Sequence, residues 1–159
     1  MKKFESIVEK TSQVLNTIAG YGIVVTMVLI VLNVILRSLF NIPIKGVYEI
    51  SGYLTAIVVA FTLAQCALEG AHIAVEILMD KLNSKIQLVI NTIWSSIMIV
   101  FLFFIGIQVF SNGITVMKSG EVSPTAQIPF YPFIFLVSIG FFVLCFAEIH
   151  KTVKGVRVK

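Results

Sequence analysis

The sequence predicts an all-α integral membrane protein, in which four transmembrane helices are accompanied by two amphipathic helices at the lipid interface. Three observations carry that expectation. Residues 11–36, 50–68, 86–117 and 122–147 contain no Asp, Glu, Lys or Arg. Each run can cross a hydrocarbon core of about 30 Å, which takes about 20 helical residues. The composition is 58% hydrophobic and only 13% charged, with a mean hydropathy of +1.00, where soluble domains carry about 25% charged residues. The third observation is the sorting of basic residues into alternate gaps. Together these place spans at approximately 14–37, 48–69, 87–117 and 129–149 in a single transmembrane domain covering 1–159.

At the N-terminus, Phe4, Ile7, Val8, Thr11, Val14 and Leu15 recur at helical spacing opposite Lys3, Glu5, Glu9 and Lys10. This amphipathic pattern suits a helix over about 2–12 lying in the interface, although it also suits a simple extension of the first span. Lys2, Lys3 and Lys10 ahead of an apolar run resemble a secretion signal. The run exceeds the ~7–15 residue signal core, however, and no Ala-x-Ala site follows it, so it is expected to persist as a span.

The second span carries Gly52, Ala56, Ala60 and Ala64 at intervals of four. Small residues in register let helix backbones approach closely, so this row is expected to face another helix; the plainer alternative is alanine filling an apolar helix. After it, Ile73, Ile77, Leu78 and Leu82 oppose His72, Glu76, Asp80 and Ser84, which suits a second interfacial helix over about 72–84. The third run, 32 residues long, would measure roughly 48 Å as a helix and must tilt or project beyond the lipid. Gly120 and Pro124 stop it, and Pro129 and Pro132 suit the opening of the fourth span.

With four spans, both termini share a side with the 69–85 segment. That side holds Lys2, Lys3, Lys10, Lys81, Lys85, Lys151, Lys154, Arg157 and Lys159, while the other holds Arg37, Lys45 and Lys118. Nine against three predicts cytoplasmic termini, and in a bacterium the membrane would be the inner one. Tyr48, Tyr53 and Tyr131 then fall near the outer interface, with Tyr21 and Trp94 toward the inner. The net charge of +4 forms no basic patch with interleaved aromatics, so no nucleic-acid partner is expected and the bilayer is. Cys66 and Cys145 lie within apolar runs without metal-type spacing and are expected as buried free thiols.

Few residues could carry chemistry. Arg37 closes the first span and Glu49 opens the second. Arg37 either snorkels alone to the interface or joins Asn33 and Glu49 in a polar cluster. No acidic residue lies mid-span, which argues against an ion-carrying path through this chain. Glu69, His72 and Glu76 share a helical face, but a di-iron site needs a second Glu-x-x-His that the chain lacks. His72 and His150 could clamp a haem, which would make the chain a membrane anchor or b-type cytochrome subunit of an electron-transfer complex. Histidines at lipid boundaries are more often interface residues, so no cofactor and no metal is expected. Phosphate-loop, HExxH and GxSxG patterns do not occur, and no enzyme activity is expected.

Arg37-Ser-Leu-Phe-Asn-Ile-Pro43 leading to Glu49, then Ala67-Leu-Glu-Gly-Ala-His-Ile-Ala-Val-Glu76, with Ser123-Pro124, Ile128-Pro129 and Gly140, form a pattern spanning almost the whole chain. It resembles the small membrane subunit of tripartite ATP-independent periplasmic (TRAP) transporters. Glu69 and Ala74 stand where many relatives carry Arg, and Tyr48 where a second acid is common. The resemblance implies a four-helix, non-catalytic subunit of a sodium symport system for organic acids of the dicarboxylate or sialic-acid type. Its implied partners are a large membrane subunit, which carries the substrate and sodium sites, and a periplasmic substrate-binding protein. Arg37, Glu49, Gly52, Ala56, Ala60, Ala64, His72 and Glu76 are the candidate structural and interaction residues.

Overall fold

The computed structural model describes residues 2–68 and 84–157. The chain forms four helices: α1 (Lys2–Phe40), α2 (Val47–Leu68), α3 (Ser84–Ser119) and α4 (Tyr131–Arg157). All four are long and apolar enough to cross a membrane, and the chain is a multi-pass membrane protein. The expected second interfacial helix over 72–84 lies almost wholly outside the described residues.

The N-terminal amphipathic stretch is not a separate interfacial helix. α1 runs unbroken for 39 residues, about 58 Å at 1.5 Å per residue. The first glycine is Gly20, so nothing breaks the helix earlier, and part of the apolar stripe has a protein surface to cover. Val8 is buried against Ala64, Ala67, Leu144 and Ala147, while Leu15 packs beside Ala19, Ala60 and Phe61. Within that stripe Val8 and Leu15 turn toward the helix layer, while Thr11 and Val14 are exposed.

Helix ends follow local chemistry. α1 stops at Asn41, which takes a left-handed φ of 54°, a conformation Asn tolerates better than most residues. α3 stops at Gly120, with φ 67°. Arg37 and Lys118 sit in the last turns of α1 and α3, where a cation meets the negative end of the helix dipole. Two of the three basic residues on the sparsely charged side thus have a local reason for their positions.

The helices pack in the spatial order α1–α2–α4–α3, with a lesser contact between α1 and α4. The arrangement is an open layer, with α2 and α4 central and α1 and α3 at its edges. None of the most apolar stretch of α1 is buried inside the chain, against 33% of that of α4. The two central helices run parallel, so their N-termini lie at the same end of the layer.

Each interface in the row is built on glycine. A Cβ on Gly22 of α1 would come within 2.8 Å of Val58 on α2, and one on Gly140 of α4 within 2.9 Å of the Ala60 carbonyl on α2. Between α3 and α4, Gly106 faces Phe142 and Gly113 faces Phe135, at 3.1 and 2.8 Å from such a Cβ. Both pairs are seven residues apart, the repeat that keeps one helix face turned to its neighbour. Ser138 Oγ donates to the Gly106 carbonyl at 3.0 Å and Cys145 Sγ to the Ile99 carbonyl at 3.7 Å. Lipid tails are as apolar as Leu, so such helices associate through close packing and interhelical hydrogen bonds. Cys66 and Cys145 are free thiols.

Candidate functional site: the two-loop end

The parallel course of α2 and α4 brings three segments together at one end of the layer: the 41–46 link, the first turn of α2 and the 120–130 link. In the first link, the backbone N–H of Ile44 donates to Asn33 Oδ1 at 2.9 Å. Asn33 is buried, so a polar side chain inside an apolar helix satisfies a turn that would otherwise lack a partner. Ile42 N–H donates to the Leu36 carbonyl at 3.3 Å.

Gly46 opens α2 with φ 76°, and its carbonyl accepts the Ile50 N–H at 3.0 Å. Three residues later Glu49 lies in the first turn, where the helix dipole favours an anion. An acid at this position can reach back to its own helix start. Here it reaches across instead. Its carboxylate accepts the backbone N–H of Thr125 at 2.9 Å and of Ala126 at 3.0 Å, together with the Ser123 hydroxyl.

The 120–130 link holds its own shape. Val122 and Pro129 form an antiparallel bridge, Ser123 N–H donates to the Ile128 carbonyl, and Gln127 N–H donates to the Ser123 carbonyl, both at 3.0 Å. Gln127 takes a left-handed φ of 53°. Ser123 is buried, whereas Glu121, Val122, Pro124, Thr125 and Gln127 are exposed. A Cβ on Gly46 would overlap Ala126, so the link lies directly on the start of α2. Tyr53 stacks on Phe130 and Phe133, with ring centroids 5.8 and 5.2 Å apart, continuing the contact down into the helices.

The expected residues therefore separate. Asn33 and Glu49 serve different links, and no ion pair joins Arg37 to Glu49; Arg37 is exposed at the end of α1. In the row of small residues, Ala60 and Ala64 are buried, with Ala60 against Gly140. Gly52 and Ala56 are exposed, and a Cβ on Gly52 would meet nothing within 4 Å. A four-residue interval overshoots a 3.6-residue turn by about 40°, so the row drifts off the buried face. The face continues through Phe61 and Ala67 instead. His72 and Glu76 lie outside the described residues, while Glu148 and His150 are buried in α4. No group of three or more His, Cys, Asp or Glu that could hold a metal occurs among the described residues.

Four membrane-spanning helices in an open layer, with polar chemistry gathered at the two-loop end, define a small multi-pass membrane subunit. The family model described as Tripartite ATP-independent periplasmic transporters, DctQ component, matches residues 26–158, and the chain belongs to that family. It is a small membrane component of a TRAP transporter. No curated protein and no solved structure matches it.

Proposed function

We propose that this chain is the non-catalytic small subunit of a sodium-driven TRAP system that imports organic acids of the dicarboxylate or sialic-acid type. In this role it scaffolds the large transport subunit and helps a periplasmic binding protein dock. The family match over residues 26–158 carries the reading. The open layer supports it, because exposed apolar faces on both edge helices offer surface to a larger membrane partner.

The nine-to-three distribution of basic residues supports cytoplasmic termini in a bacterial inner membrane. On that orientation the two-loop end faces the periplasm, where a soluble component approaches. Gly52 and Ala56, bare on α2, suit close approach by a helix of the large subunit.

Co-purification tests this assembly. Gly52→Leu and Ala56→Leu occupy open space, so this chain should still fold, yet its recovery with the large subunit should fall. Val59→Leu, on the same exposed face, adds a single methylene to a side chain that is already bulky, so recovery should fall least. Equal recovery of all three variants would overturn the proposed docking face.

A further inference from the structure

We infer that Glu49 is a positioning residue: it serves as a built-in anion for the 120–130 link and holds that link in the position at which a soluble partner reads it. The inference rests on the docking role proposed above and names the residue that would set it.

Three donors converge on one carboxylate: the N–H groups of Thr125 and Ala126 and the Ser123 hydroxyl, which lie 74 to 77 residues from Glu49. The link's internal hydrogen bonds shape it as a unit but leave these donors pointing at α2. Glu49 then fixes the unit's position, and glycine at position 46 leaves room for Ala126 to settle. The exposed residues of the link that do not bond Glu49, namely Glu121, Val122, Pro124 and Gln127, lie at the tip of the layer. A surface held in one arrangement before contact avoids an ordering cost on binding. Hydrogen bonds to a carboxylate are stronger than those to a neutral acceptor, which suits a fastening that must survive in water.

Glu49→Gln keeps the size of the side chain but removes the charge and turns an NH2 group toward donors. The assembled transporter in nanodiscs should then show about tenfold faster amide exchange at Thr125 and Ala126, with α2 and α4 unchanged. In uptake assays, half-saturation should need more loaded binding protein while the rate at saturation is retained. Glu49→Asp should recover part of both effects. Ser123→Ala removes a single donor, so it should act in the same direction but more weakly, and non-additively with Glu49→Gln.

Unchanged exchange in Glu49→Gln and Ser123→Ala would overturn the fastening. Faster exchange with an unchanged half-saturation would overturn its link to docking. Failure of the proposed function would appear separately, as uptake by the wild-type assembly that does not depend on the binding protein.

Discussion

At the residue scale, what separates one glycine from another is the atom its missing side chain would strike. Gly140 faces the backbone of Ala60, which cannot turn aside. Gly113 and Gly106 face the rims of Phe135 and Phe142, and an aromatic ring can rotate. Gly52 faces open space. Alanine substitutions should therefore follow an order in thermal unfolding of the detergent-solubilised chain. Gly140→Ala should be the most damaging, at about 1–3 kcal/mol. Gly113→Ala should come next and Gly106→Ala should be milder. Gly52→Ala should be neutral or stabilising by up to about 1 kcal/mol, because Ala favours helix over Gly. A flat series would mean that close backbone approach does not hold the layer together. Ala60→Leu should resemble Gly140→Ala, since the two residues meet.

At the element scale, α1 shows how an amphipathic pattern finds its partner. Its apolar stripe buries Val8 in a cluster shared by all four helices, so Val8→Ala should destabilise by about 1–2 kcal/mol. Ile18→Ala, at an exposed position, should cost less. Spin labels placed singly along residues 3–17 should show an unbroken 3.6-residue periodicity in accessibility; a phase break near residue 12 would restore a separate interfacial helix.

The sequence made the four helices legible because charge-free length is a local property. It also signalled the end of α3 at Gly120, where backbone conformation depends on the residue itself. It did not reveal the partner of Glu49, because no spacing within the chain announces a contact across 74 residues or more. The drift of Gly52 and Ala56 out of the contact was computable from helix geometry. The Gly106 and Gly113 pair, spaced to match Phe135 and Phe142, was present in the sequence as a signal that the row in α2 overshadowed.

At the scale of the whole molecule, an even number of spans puts both termini on one side, and the proposed cytoplasmic side rests on the basic residues. Cysteines replacing Lys2 or Lys159 should resist a membrane-impermeant maleimide in intact cells, while one replacing Lys45 or Lys118 should react. The reverse pattern would invert the assignment of the two-loop end.

The open layer further implies that this chain works as part of a larger membrane assembly. Uptake by proteoliposomes under an imposed sodium gradient tests that claim most directly, with this chain alone, and then with the large subunit and a loaded binding protein. The account predicts no uptake by the chain alone and sodium-dependent uptake by the full assembly. It also predicts that Arg37→Ala in the assembly leaves the choice among organic acids unchanged, because Arg37 sits exposed in the last turn of α1, at the two-loop end. Transport by the isolated chain, or a changed choice of acid in Arg37→Ala, would contradict the account.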